Sequence, residues 1–511
     1  MIVEAILRYI FTEAFLYQFL ATLVAYVALN AVLFYINRYR DMQVFAKLGI
    51  PHPKPKLLSG NVDLFRGRDD SYKVSVGLKE KYGSYYGIYV GQERTLIITD
   101  LEMLRQVFFE KTKSFKERSL IHLKSPLTEG ILFARYEKWR AMRKIMAPSF
   151  NRYTARGDNL TQFIDDAIKL ALEYIDSRIK QDSAGRFVAN IDMHNLMKAT
   201  ALYMISSMAV KLPNVKVCEN DEHVKALDAY LGTASRGLVY WAVQFPFLKY
   251  VLNILSNHIE HGKTLGTIKR ELNREIDDQF KRLSKESLID AQNKSDQHNQ
   301  VIDILIRLHY EGKMSREEVL SNACALLFAG YDTTSTTLAY ILWALAKRTD
   351  IQDKLRSDLM AHGIESRYLE QVINETMRLY PTVLSFTTRV ATETVKIKDV
   401  IIPKDTKVIY SAWLIYRDPK VWPEPEKFDP ERFREGHPDY HPCAFAPFGL
   451  GERRCLGYQL ALLELKMFTC DILLRYKLHL QSPEDLELVN YAFVLSKPKE
   501  KIMIELERLQ V

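Results

Sequence analysis

Twenty-two consecutive residues, Phe15 to Ile36, carry no charge, and only Gln18 and Asn30 among them are strongly polar. At about 1.5 Å per residue, a helix of that length covers the ~30 Å hydrocarbon core of a bilayer. The run therefore reads as a single membrane-spanning helix. A cleaved signal peptide is the competing reading. Against it, the apolar stretch exceeds the usual ~7–15 residues, and the preceding charges Glu4, Arg8 and Glu13 are not net positive. Arg38, Arg40, Lys47, Lys54 and Lys56 follow the span, so the positive-inside rule places the chain after residue 37 on the cytoplasmic side. Pro51-His52-Pro53-Lys54-Pro55 then favours a stiff, extended spacer. The expected organisation is an anchor with its flank over 1–45, a proline-containing hinge over 46–60 and one body over 61–511.

That body is long enough for a large core. Of 511 residues, 47% are hydrophobic and 26% charged, which excludes a disordered chain. The formal net charge of +8 points to acidic surfaces as partners, either anionic lipid or an acidic protein. Nucleic acid is excluded as a partner, because the 71 Lys and Arg are dispersed among 63 Asp and Glu and no binding motif occurs. Five cysteines (Cys218, Cys324, Cys443, Cys455, Cys470), odd in number and without CxxC spacing, argue against a disulfide framework and for a reducing compartment.

Periodicity predicts a mainly α body with small β-sheets. Helices are expected over 138–150, 157–180, 195–210, 262–284, 315–346, 350–362, 369–379 and 456–476. A hairpin is expected within 82–99, with short strands near 394–402, 407–410 and 491–505. The polar stretch 286–300 reads as an exposed loop. Residues 211–255, with aromatics and Pro213 and Pro246, read as a mobile lid or equally as a surface helical hairpin.

Near the C-terminus the chain reads Phe448-Gly449-Leu450-Gly451-Glu452-Arg453-Arg454-Cys455-Leu456-Gly457. This resembles the haem-binding signature of the cytochrome P450 family, Phe-x-x-Gly-x-Arg-x-Cys-x-Gly, at all five fixed positions. At ~5–7% usage per residue type, chance produces such a match on the order of once per million starting points. The resemblance implies that Cys455 binds haem iron as a thiolate, the axial ligand that favours O–O cleavage. Gly449 and Gly451 let the backbone turn tightly so that N–H groups reach the sulfur. Arg453 suits a haem propionate, Phe448 shields the sulfur from water, and Gly457 lets the following helix pass close to the ring. Two bland readings compete: an inert buried thiol, and zinc held by His437, His441, Cys443 and Cys455. Pro438 and Pro442 break up the helix that would align the two histidines.

Ser315-Arg316-Glu317-Glu318 is a capping box that opens a helix of roughly 30 residues. Its apolar middle turns abruptly polar at Ala329-Gly330-Tyr331-Asp332-Thr333-Thr334. A glycine there costs ~1 kcal/mol against alanine, and a buried carboxylate costs more unless paired. Such local costs mark function, although a hydroxyl-rich kink with a structurally paired aspartate reads the same way. The segment resembles the family's Ala/Gly-Gly-x-Asp/Glu-Thr motif. By that resemblance Ala329 and Gly330 line the haem with room for dioxygen, while Asp332 and Thr333 carry protons inward.

Glu375-Thr376-Met377-Arg378 and Pro430-Glu431-Arg432-Phe433 resemble the family's Glu-x-x-Arg helix and its partner, a structural cluster of Glu375, Arg378 and Arg432. Trp139-Arg140-Ala141-Met142-Arg143 resembles the helix whose Trp139 and Arg143 bind a propionate; Arg389 and Arg118 are further propionate candidates. The resemblance covers essentially the whole chain and looks most like animal microsomal members of the drug- and lipid-oxidising type. It implies the cytochrome P450 fold, haem b with axial cysteine, and monooxygenation of a lipophilic small molecule, with one atom of O2 inserted and the other reduced to water. Electrons from NADPH are expected through a separate NADPH–cytochrome P450 reductase, with cytochrome b5 as a further partner, because the chain has no Gly-x-Gly-x-x-Gly fingerprint. Lys138, Arg140, Lys144 and Lys466 are candidates for the docking face. The implied location is the endoplasmic reticulum membrane, single-pass. Rival readings are a haem-thiolate isomerase or synthase acting on peroxides without a reductase, and a non-enzymatic haem gas sensor. Expected pocket walls are 114–132, 203–250, 328–333, 382–388 and 491–496, too uniformly apolar to choose among a steroid, a fatty acid and a xenobiotic.

Overall fold

A computed structural model describes residues 13–65, 70–118, 127, 129–151, 159–210, 212, 214–233, 260–282, 301–435, 440–482, 485–491 and 494–509. The loop 286–300, residues 234–259, residues 119–126 of one pocket wall and 492–493 of another, and His437 lie outside that set.

The longest uncharged run forms the helix Glu13–Met42, which leaves Leu16, Tyr17, Phe19, Val24, Tyr26 and Val27 exposed. No other described helix is both long and apolar enough to span a bilayer. So much bare apolar surface on one helix is compatible with a membrane anchor. Beyond the span the chain joins the body at once. Arg38 is 5% exposed and donates to the carbonyl oxygens of Leu57 (3.0 Å) and Gly91, while Met42 and Phe45 enter the core. Residues 46–60, expected as a spacer, are laced to the first hairpin: Gly87 N donates to Pro51 O at 2.8 Å, and Asn61 spans Pro53, Lys54 and Tyr89.

The body is built around the helix Arg316–Lys347. Ser315 caps it with Glu318 in the expected capping box. Against it pack Met193–Ile205, Glu260–Arg282, Val301–Tyr310, Arg367–Leu379 and Tyr458–Arg475. Helices Tyr136–Asn151, Asn159–Arg178 and Thr349–His362 complete the expected set, each within about two residues of its sequence-based bounds. Among the described helices of ten or more residues, Ser71–Tyr82 and Val301–Tyr310 were not anticipated, and Glu222–Thr233 lies within the segment read as a lid or a surface helical hairpin. The last helix starts at Tyr458 rather than Leu456, because the cysteine turn continues through Gly457.

The sheets are small. One has the order Tyr85–Val90, Glu93–Ile98, Lys407–Tyr410, Thr388–Val390, and its middle pair is parallel. Another joins Lys180–Gln181, Phe187–Asp192, Met503–Arg508 and Tyr476–Leu480, all antiparallel. Two hairpins, Val395–Ile397 with Val400–Ile402 and Leu488–Tyr491 with Leu495–Pro498, complete them. The single strand expected over 491–505 is thus parts of three strands in two sheets.

Between helix Arg367–Leu379 and the cysteine loop sits the ion-pair cluster. Arg378 donates through Nε and Nη2 to Glu375 at 2.7 and 2.9 Å, both residues being fully buried. Arg432 lies 3.5 Å from the same carboxylate. The cluster ties that helix to the segment from Tyr416 to Arg432.

Candidate active site

Ten residues, Phe448 to Gly457, make a tight turn because two glycines take backbone conformations that L side chains avoid. Gly449 has φ +81° and Gly451 φ +67°. A Cβ on Gly451 would also lie 2.5 Å from the carbonyl oxygen of Phe108. The turn closes with Cys455 N donating to Phe448 O at 2.8 Å, and the nearby Gly457 N–H works to lower the Cys455 thiol against the larger effect of burial. Phe448 packs beside Tyr458 with ring centroids 6.1 Å apart. Cys455 is surrounded by protein, so burial pushes its thiol above the ordinary range, yet its own surface is accessible. A side chain both desolvated and accessible faces an enclosed hollow.

Three arginines from three separate segments converge on this loop, which carries a fourth, Arg453. Arg118 donates to Arg453 O (2.8 Å), Arg143 to Arg454 O (2.8 Å), and Arg389 to Leu450 O (3.0 Å). Arg453 itself reaches Ala134 O at 3.1 Å and stacks 4.5 Å over the Trp139 ring, and Arg143 lies 5.7 Å from the centre of the same ring. Burial and mutual repulsion lower the guanidinium of Arg389 to about 9, and burial that of Arg453 to about 10. The one acid against Arg453, Glu117, stands off at 3.8 Å. Arg118 Nε and Arg453 Nε and Nη2 are buried without a hydrogen-bond partner. Positive charge and unmet donors beside an accessible thiol fit a ligand that brings carboxylates next to a thiolate-bound metal. Haem, with two propionates and an iron, has that chemistry.

The central helix supplies the second wall. From Val319 to Ala346 every residue is buried except Ala329, Gly330 and Thr333. These stand at i, i+1 and i+4, one face of one turn, so an otherwise encased helix is bare at one spot. Thr333 Oγ1 donates to Ala329 O at 2.7 Å. Gly330 has a packing reason as well: a Cβ there would lie 2.7 Å from Ile205 Cγ1. Asp332 points the other way, 2% exposed, with Oδ1 unpartnered, and burial pushes its carboxyl up to about 6.

Of the expected site residues, the structure gathers Cys455, Arg453, Phe448, Gly449, Gly457, Trp139, Arg143, Arg389 and Arg118 around one loop, and sets Ala329, Gly330 and Thr333 on one open helix face. Sequence reasoning missed Glu117 and the groups behind Asp332, namely the buried Lys198 and His194 and the half-buried Asp228. Lys198 had a visible signal, a lone cation in the apolar run Met193–Ile205. Of the basic docking candidates, Lys138 is paired with Glu129 and Glu318, and Lys466 with Glu370, whereas Arg140 and Lys144 are exposed.

Comparison with known proteins agrees with this geometry. Residues 50–506 match the family profile described as cytochrome P450. The chain is 28% identical over 506 residues to cytochrome P450 3A56 of Fundulus heteroclitus, covering 95% of this chain and 97% of that protein. It is 28% identical to cytochrome P450 3A40 of Oryzias latipes, over 89% and 90% of the two chains. Identity to human cytochrome P450 3A5 is 27%, over 86% and 88%.

Proposed function

The chain belongs to the cytochrome P450 family, and from that premise we propose that this haem-thiolate monooxygenase inserts one oxygen atom of O2 into a lipophilic substrate, drawing NADPH electrons from a separate reductase. The observation that carries the reading is the convergence of Arg118, Arg143 and Arg389 on the loop of an accessible Cys455 and its own Arg453, with buried guanidinium donors still unmet.

Each residue has a task in that scheme. Cys455 would hold the haem iron through its sulfur, and the Gly457 N–H beside that sulfur would withdraw charge from the thiolate and so tune the potential. Arg453, Arg118 and Arg389 hold propionates, with Arg143 and Trp139 beside them. Phe448 keeps water from the sulfur. Haem, when bound, supplies dioxygen activation and the oxidising equivalent. Thr333 then presents a hydroxyl at the bare spot of the central helix, and Asp332, protonatable near neutral pH, supplies protons from behind.

For the electron donor, a flavoprotein reductase or cytochrome b5, the docking surface is the outer side of the cysteine loop. There Phe109, Thr112, Leu450, Glu452 and Arg454 line a cleft of about 390 Å³, with the exposed cations Arg140 and Lys144 as the remaining basic candidates. The span and the basic residues after it support a single-pass protein of the endoplasmic reticulum membrane with its body in the cytoplasm.

The test is turnover of a lipid extract by the purified protein with reductase, NADPH and 18O-labelled dioxygen. A product carrying one labelled atom, absent without NADPH, is expected. Product formed from added peroxide alone, with none driven by NADPH, would assign the chain instead to an isomerase or synthase.

A further inference from the structure

Behind the bare face of the central helix lies a buried charge arrangement that the scheme above leaves unused. Asp332 Oδ1 has no hydrogen-bond partner in a site that is 2% exposed, and an isolated buried carboxylate is costly. The cation that bears on it most is Lys198, also 2% exposed, from the neighbouring helix Met193–Ile205. Yet the Lys198 ammonium is clasped by both oxygens of Asp228, at 2.8 and 2.7 Å. Asp228 belongs to a third element, the helix Glu222–Thr233, and it also accepts from the Tyr331 hydroxyl at 2.5 Å. Tyr230 of the same helix packs on Phe328, ring centroids 5.0 Å apart. One buried lysine thus bonds the carboxylate on Glu222–Thr233, while its charge bears on a second carboxylate, Asp332, on the central helix.

We propose that Lys198 is a positioning residue shared between Asp228 and Asp332, so that the seating of helix Glu222–Thr233 on the central helix sets whether Asp332 keeps its proton. With the helix seated as here, Asp228 holds the lysine and Asp332 is left to protonate. When Asp228 withdraws, Lys198 turns to Asp332 and holds it as carboxylate. The inference rests on the reading of Asp332 as a proton donor.

The surroundings agree. Burial is the largest influence on Asp332 and raises it to about 6; Lys198 pulls it down, Asp228 pushes it up, and Lys497 of the strand Leu495–Pro498 pulls it down more weakly. Tyr340, on the same helix, responds to Asp332 but is held neutral by burial. His194, one turn before Lys198, bonds Thr336 Oγ1 at 3.1 Å, and burial keeps it neutral. It adds no competing charge.

The experiment is an infrared pH titration of the ferric holoenzyme, with the carboxyl stretch of Asp332 isolated by subtracting D332N. The parent midpoint is expected near 6. K198M removes the cation and moves the midpoint up, and D228N releases the cation and moves it down, each on the order of one pH unit. K198R keeps the charge and leaves the midpoint in place, so a K198M protein that fails to take up haem does not end the test: D228N and K198R still decide it. Shifts of the same sign in K198M and D228N, or a D228N midpoint equal to the parent's, would overturn the proposal. No turnover is involved, so this result is separate from the role of Asp332 itself, which fails if D332N oxidises substrate at the parent rate.

Discussion

Removing the charge of Arg378 is a sharp test of what ties helix Arg367–Leu379 to the segment from Tyr416 to Arg432. Its guanidinium makes two bonds to Glu375 and three to main-chain oxygens: Tyr416 at 2.8 Å, Pro425 at 2.7 Å and Lys427 at 3.2 Å. Both members of the pair are fully buried. R378M keeps much of the volume but leaves a buried carboxylate facing only Arg432 at 3.5 Å and the Asp429 N–H at 2.7 Å. Breaking one side of a buried pair costs about 3–5 kcal/mol, at least about a fifth of a typical ~5–15 kcal/mol stability. The pH dependence has a definite sign. Burial already raises the Glu375 carboxyl above its ordinary range. A group whose folded pKa is raised contributes stability that is present at low pH and lost as pH rises through the folded value. Without Arg378 that pKa rises further, so the deficit of R378M shrinks from pH 7.5 to pH 5.5. The double variant E375Q/R378M, with no buried charge in the pair, recovers part of the loss. Urea titrations read by circular dichroism and haem absorbance measure all three proteins. R378M within about 1 kcal/mol of the parent at both pH values, or a double variant less stable than R378M, would refute the reasoning.

At the loop, G451A places a Cβ 2.5 Å from Phe108 O at φ +67°, so it should shift the turn and lose the thiolate spectrum before the helical circular dichroism changes. R453Q removes a charged partner of the propionates and should weaken haem retention about 10- to 100-fold in a transfer assay to apomyoglobin. T333V keeps the shape of Thr333 without its hydroxyl, and product per NADPH should fall about tenfold or more while NADPH is still consumed. Burial holds the Cys455 thiol protonated, so binding as thiolate releases a proton, and haemin affinity of the apoprotein should rise about tenfold per pH unit from 7 to 8; a flat profile would contradict this.

What was legible in the sequence is what is local. The cysteine turn lies within ten consecutive residues, and Gly449 and Gly451 report their positive φ directly. The break in apolar texture at Ala329 to Thr334 marked the one bare turn of a buried helix. Arg118 and Arg389 were harder, since they reach the loop from separate segments at no fixed spacing. The sharing of Lys198 between Asp228 and Asp332 depends on three helices crossing, which periodicity does not encode. Strand Phe187–Asp192 escaped notice for the same reason: its partner, Met503–Arg508, comes from the far end of the chain. Helix Ser71–Tyr82 has too few apolar residues in register to announce itself.

The sulfur–iron bond at residue 455 is tested most directly by the spectrum of the reduced, carbon-monoxide-bound protein beside that of C455S. The parent should show the band of a thiolate-ligated haem, and the serine variant should lose it together with NADPH-driven oxidation. An identical spectrum and undiminished oxidation in C455S would contradict the account.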